Sequence, residues 1–138
     1  MTTDLDVSKS KIYIKKCIMD GSQACFLLLS DDGLIRLTMN MSQFNETINH
    51  LITVLPANCP SVENTEIDGG RLYETSVRVV DVRAGVLINV GKKSPELRLY
   101  TGKKRKHYVR VVLSWEQMSQ LLDAMKSMIP VEETTVAA

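Results

Sequence analysis

Two arginines and two tyrosines alternate along the last third of the chain in a pattern suited to a flat, anionic polymer. Arg98 and Tyr100 precede the run Gly102-Lys103-Lys104-Arg105-Lys106, and Tyr108 and Arg110 follow it. Cations along a groove neutralise phosphates and give salt-dependent affinity. A tyrosine ring offers a face to an unstacked base, worth about 1–3 kcal/mol per base. The spacing matters because alternate residues of a strand share a face. If 96–101 and 107–113 are strands joined by a five-residue turn, Thr101 faces His107. Arg98, Tyr100, Tyr108 and Arg110 then project from one side, and Leu97, Leu99, Val109 and Val111 from the other.

No other constellation suggests chemistry. Cys17, Cys25 and Cys59 are odd in number and lack metal-ligand spacing, so they read as reduced thiols. His50 lies beside an apolar helical stripe and reads as structural; His107 adjoins the basic run. There is no phosphate-binding glycine loop, nucleophile elbow or zinc pattern. Asp31-Asp32-Gly33 reads as a turn, not an acid/base pair. The chain is therefore expected to be no enzyme and to use no cofactor, metal or small-molecule substrate.

The elements that must position these residues follow from periodicity. Ile12 to Met19, Ala24 to Ser30 and Leu34 to Met39 read as strands, with a short leading strand over Leu5 to Val7. A helix follows from Asn40 or Ser42 to about Leu55, with Met41, Phe44, Ile48, Leu51, Ile52 and Leu55 as its apolar stripe. Pro56 stops it, and residues 57–70 read as a linker. Four more strands are expected over Ser76 to Val82, Val86 to Val90, Glu96 to Thr101 and His107 to Leu113. Ser114 and Gln117 form a capping-box pattern. The helix after them carries Trp115, Met118, Leu121, Leu122, Met125 and Met128 as its stripe. Trp115 is expected to pack in the core rather than to stack on a base. Residues 131–138 read as a disordered tail.

In the first half a three-residue turn would pair Ser30 with Leu34. Cys25, Leu27, Leu29, Ile35, Leu37 and Met39 would then share the core face. Phe26, Leu28, Arg36 and Thr38 would lie opposite, joined by Tyr13 and Lys15. On this register both sheets have a helix on one side and a basic, aromatic surface on the other.

The two halves also match each other. A shift of 74 positions places Ile35-Arg36-Leu37 on Val109-Arg110-Val111, Phe44 on Met118, Leu51 on Met125 and Pro56 on Pro130. A period this long implies two copies of one supersecondary unit, each a sheet ending in a helix. One such unit buries little core alone, so two are expected to close on each other. The expected fold is therefore α+β in one domain over 1–138, with repeats over about 5–56 and 71–130.

The net charge of +1 conceals an asymmetry. Residues 1–68 hold 5 Lys/Arg against 9 Asp/Glu, whereas residues 69–138 hold 12 against 7. The second half is the better candidate for a polyanion partner. No apolar run approaches the length needed to span a bilayer, and Met1 to Ser10 lacks the apolar core of a signal peptide. An intracellular protein without membrane contact is expected.

The segments Lys11-Ile12-Tyr13-Ile14, Cys25-Phe26-Leu27-Leu28 and Arg36-Leu37-Thr38-Met39-Asn40-Met41, leading into Phe44, resemble a repeat of the purine-rich-element-binding (Pur-alpha type) proteins. Val86-Leu87-Ile88-Asn89-Val90 and Trp115 to Leu121 are similar to the single-stranded-DNA-binding coactivators of the positive-cofactor family. The resemblance spans about residues 5–130. It implies two tandem repeats, each an antiparallel sheet followed by one helix, intertwined as a pseudo-dimer. It also implies a homodimer, and a role in transcription, replication or RNA handling through binding and strand separation. Asp20-Gly21-Ser22-Gln23 replaces the Lys-rich, Asn-containing turn of the Pur-type repeat, which shifts the expected contact surface to the second copy.

The expectation is a single-stranded DNA or RNA-binding protein of the nucleus or nucleocytoplasm. Arg98, Arg110, Lys103, Lys104, Arg105 and Lys106 would contact phosphates. Tyr100, Tyr108 and Phe26 would offer stacking surfaces, with Lys15 and Arg36 in support. The 103–106 run also reads as an import signal. The alternative is a protein-interaction module with the same fold that has lost nucleic-acid binding.

Overall fold

Ser30 faces Gly33 across the first long hairpin, so two residues, not three, connect its strands. That single position decides which side chains reach the core. The computed structural model describes residues 2–19, 22–30, 33–56, 59, 62–66, 77–83, 85–90, 95–102 and 107–128. Within them the first half supplies β1 (Thr2–Asp6), β2 (Ile12–Met19), β3 (Gln23–Ser30), β4 (Gly33–Asn40) and α1 (Met41–Val54). The second half supplies β5 (Val77–Asp81), β6 (Gly85–Asn89), β7 (Glu96–Tyr100), β8 (Tyr108–Val112) and α2 (Trp115–Met128). Among the described residues the fold is α+β, with two helices and two four-stranded sheets.

Sheet one has the order β2-β3-β4-β5 and sheet two the order β1-β8-β7-β6. Each contains three consecutive antiparallel strands and one parallel strand from the other half of the chain. β1 precedes β2 in the chain yet pairs with β8. Likewise β5 precedes β6 yet pairs with β4. The expected strand over Leu5 to Val7 is thus shifted toward the N-terminus and belongs to the distant sheet. Gly85, at φ +116°, opens β6 in a conformation that residues with a Cβ rarely adopt.

Both helices begin on capping boxes. Asn40 Oδ1 accepts from Gln43 N at 2.8 Å, and Gln43 Oε1 accepts from Asn40 N at 3.1 Å. Ser114 Oγ accepts from Gln117 N at 3.1 Å, and Gln117 Oε1 accepts from Ser114 N at 2.9 Å. Each box satisfies N–H groups that the first turn leaves without partners.

One core joins the inner faces of both sheets to both helices. α1 packs on β3, β4 and β6, and on α2, which in turn packs on β2. In sheet one the core face carries Ile12, Ile14, Ala24, Phe26, Leu28, Ile35, Leu37 and Met39. The expected register of β3 against β4 was therefore off by one residue, which exchanges the two faces of β3. Phe26 is 2% exposed and meets Phe44 edge-on, ring centroids 6.3 Å apart. Leu27, Leu29 and Leu34, with Tyr13 against them, form a smaller cluster on the other side. In sheet two the expected register is the observed one: Leu97 faces Val111 and Leu99 faces Val109, all buried. Of the helical stripes, Ile52 is exposed and Trp115 only partly buried.

Candidate nucleic-acid interface

The outer face of sheet two is built in three rows. Tyr108, Tyr100 and Gly85 form the first; Asp4, Arg110, Arg98 and Leu87 the second; Asp6, Val112, Glu96 and Asn89 the third. Arg98, Tyr100, Tyr108 and Arg110 therefore share one face, as their spacing predicts. Thr101 N donates to His107 O at 3.0 Å, so these two residues continue the pairing of β7 with β8 next to the tyrosine pair. Lys103, Lys104, Arg105 and Lys106 themselves lie outside the described residues.

The tyrosine rings of Tyr100 and Tyr108 tilt toward each other with centroids 5.4 Å apart. Arg98 lies over the Tyr108 ring, its Cζ 5.3 Å from the centroid, a cation–π arrangement. Tyr100 is only 9% exposed, packed beside Tyr108 in the same row, so against its expected role it offers little stacking surface. Tyr108 keeps part of its surface open.

Two like charges stand opposite each other where Arg98 faces Arg110, an unfavourable pair unless compensated. Glu96 compensates it. Its carboxylate is 2% exposed and reaches Arg98 Nε at 3.6 Å and Arg110 Nη1 at 3.3 Å. Asp4 adds a second acid from β1: its two oxygens meet Arg110 Nε at 3.1 Å and Nη2 at 3.2 Å. The hydrogen bond with the Tyr100 side chain holds the Arg98 guanidinium above its ordinary pKa. Among Asp4, Glu96, Arg98 and Arg110 the formal charges cancel, and the face is less basic than expected. Glu96 was legible in the sequence, two positions before Arg98 on the same strand face. Asp4 was not, because it lies 106 residues from Arg110.

On sheet one, Lys15, Leu27, Arg36 and Val79 form one row of the outer face. Lys15 and Arg36 are exposed, with Tyr13 partly buried in the next row, as expected. Phe26 and Leu28 are not among them, because of the shifted register. Phe26 therefore drops out as a stacking residue.

Clefts also lie elsewhere among the described residues. One of about 650 Å³ opens at the start of α2, with Lys9, Lys11, Glu63, Glu66 and Glu116 at its wall. Its buried amides are engaged: Gln117 Nε2 donates to the carbonyls of Val7 and Ser10, both at 2.6 Å. Another of about 310 Å³ lies between α1 and β6, lined by Gln43, His50, Arg83, Gly85 and Tyr100. Among the described residues no three His, Cys, Asp or Glu side chains gather to hold a metal ion. No described helix is long and apolar enough to cross a membrane. No family model, curated protein or solved structure matches the chain.

Proposed function

We propose that the chain binds single-stranded DNA or RNA on the outer face of sheet two. The observation that carries the reading is Arg98 over the Tyr108 ring near the Thr101–His107 end of the hairpin, whose connecting sequence holds four Lys/Arg at 103–106. A base would stack on the open side of Tyr108, with Arg98 and the 103–106 cations on the adjacent phosphates. Lys15 and Arg36 offer a second pair of exposed cations on sheet one.

In this reading the two halves are tandem repeats of four strands and a helix, intertwined as a pseudo-dimer. The exchange of β1 and β5 between the two meanders supports it, as does the match of Arg36 to Arg110 in sequence and in sheet position. The protein then acts by binding and strand separation, without chemistry, as a homodimer of the nucleus or nucleocytoplasm.

The test is fluorescence anisotropy with labelled single-stranded DNA, single-stranded RNA and duplex DNA at two salt concentrations. Salt-sensitive binding, tighter for single strands and lost when Lys103, Lys104, Arg105 and Lys106 become Ala, is the expected result. The second reading, a protein-interaction module, is favoured by the carboxylates that neutralise Arg98 and Arg110. Absence of binding to every oligonucleotide at low salt would select it.

A further inference from the structure

We infer that Asp4 is an internal competitor for the anion that Arg110 would otherwise hold, so that β1 sets how strongly this face takes nucleic acid. The inference rests on the binding reading above and names the regulation of the same site.

Three observations carry it. First, Asp4 occupies the place of a phosphate. Asp4 Oδ2 accepts from Arg110 Nη2 at 3.2 Å, and Oδ1 lies 3.1 Å from Nε as an ion contact without hydrogen-bond geometry, so the carboxylate sits on the side of the guanidinium where a phosphate would sit. Second, Asp4 exceeds what the local charge balance needs. Glu96 is buried and already pairs with both Arg98 and Arg110. Within this cluster two arginines and one glutamate leave a single positive charge, which Asp4 cancels, and Asp6 of the next row adds a further acid. Third, the fold does not require an acid there. Arg36 occupies the matching position of sheet one and faces Val79 across the parallel ladder, as Arg110 faces Asp4. Val79 is 51% exposed, and Arg36 has no ion pair among the described residues.

The clasp is also weak enough to exchange. β1 is an edge strand with β8 as its neighbour in the sheet, and the Asp4 side chain is 56% exposed. Exposed pairs of this kind contribute little because water and salt compete for both partners. An incoming phosphate would take the two nitrogens of Arg110 while Asp4 turns out to solvent.

The experiment is a double-mutant cycle with Asp4→Asn and Arg110→Ala, read by anisotropy with a labelled mixed-sequence single-stranded oligonucleotide near 0.15 M salt. The Debye length there is about 8 Å, which suppresses bulk charge effects. Asp4→Asn is expected to tighten binding about two- to fivefold, the range set by an exposed ion pair. The salt slope should steepen by about 0.7, one additional phosphate contact on a single strand. In the Arg110→Ala background Asp4→Asn should change nothing. An equal gain in both backgrounds would mean a general charge effect and overturn the inference. Binding by the wild type that Asp4→Asn leaves unchanged would overturn it too, while the binding reading stands. No binding by either protein would overturn both.

Discussion

The side chain of Asn64 pairs with Ile14 as a neighbouring strand would. Ile14 N donates to Asn64 Oδ1 at 2.9 Å, and Asn64 Nδ2 donates to Ile14 O at 2.8 Å. β2 is an edge of sheet one, and such edges present unpaired backbone groups. Gln120 Nε2, on α2, donates to the same Asn64 oxygen at 3.0 Å and to Ile12 O at 2.7 Å. A residue from the expected linker is thus tied to both a strand and a helix.

Replacing Asn64 by Leu keeps the branched heavy-atom shape and removes all three hydrogen bonds. Ile14 N–H, its carbonyl and the Gln120 amide then lose a partner in a partly buried site. A loss of about 1–3 kcal/mol is expected, the cost of leaving such groups unsatisfied. Urea unfolding followed by circular dichroism measures it, and an unchanged midpoint would show that water replaces the amide without penalty.

Phe26 separates core from ligand surface. Because it packs on Phe44, Phe26→Ala should cost about 3–5 kcal/mol in stability. The fraction that remains folded should bind an oligonucleotide as tightly as wild type. Weaker binding by fully folded variant would return Phe26 to the interface.

Tyr108 should behave in the opposite way. Its ring is half-buried and carries Arg98, so Tyr108→Ala removes both a stacking face and a support for the cation. A loss of about 1–3 kcal/mol in binding is expected, with little change in melting temperature. Tyr108→Phe, which keeps the ring, should retain most of the affinity. Equal losses in both variants would point to the hydroxyl instead.

Asp6 gives a prediction in pH. Ser8 Oγ donates to Asp6 Oδ1 at 2.6 Å, and Ser8 N to the same oxygen at 3.0 Å. These bonds favour the charged carboxylate and hold its pKa below the ordinary value. A folded pKa below the unfolded one stabilises the protein above the unfolded pKa. That contribution fades as pH falls through the folded pKa. Ser8→Ala should move the Asp6 titration, followed by NMR, upward toward the usual carboxylate range. An unmoved titration would mean the backbone N–H alone sets it.

Strand exchange predicts cooperative unfolding. Neither sheet is complete without a strand from the other half, and one core spans both. Trp115 fluorescence and far-ultraviolet circular dichroism should therefore report one coincident transition in urea. Two separated transitions would show that the halves unfold independently.

The hairpin of β7 and β8 was legible without coordinates. Its turn is long and charged, its strands short, and apolar residues alternate cleanly with polar ones, so only one register buries Leu97, Leu99, Val109 and Val111. The helices were legible for a similar local reason: Asn40 with Gln43 and Ser114 with Gln117 cap apolar stripes at helical spacing, followed by proline. The hairpin of β3 and β4 was not. From Cys25 to Leu29 the residues are nearly all apolar, so either face of β3 could be the inner one. Packing of Phe26 against Phe44 accompanies the register that is adopted. β1 lay still further from view, since a polar strand of five residues names no partner. Its ladder with β8 forms between the two ends of the described chain. Sequence alone thus determined the local elements and the grouping of Arg98, Tyr100, Tyr108 and Arg110, because strand alternation is a short-range property. Only the tertiary structure decided that Asp4 joins Glu96 in neutralising those arginines, because charge on a surface depends on every strand that reaches it.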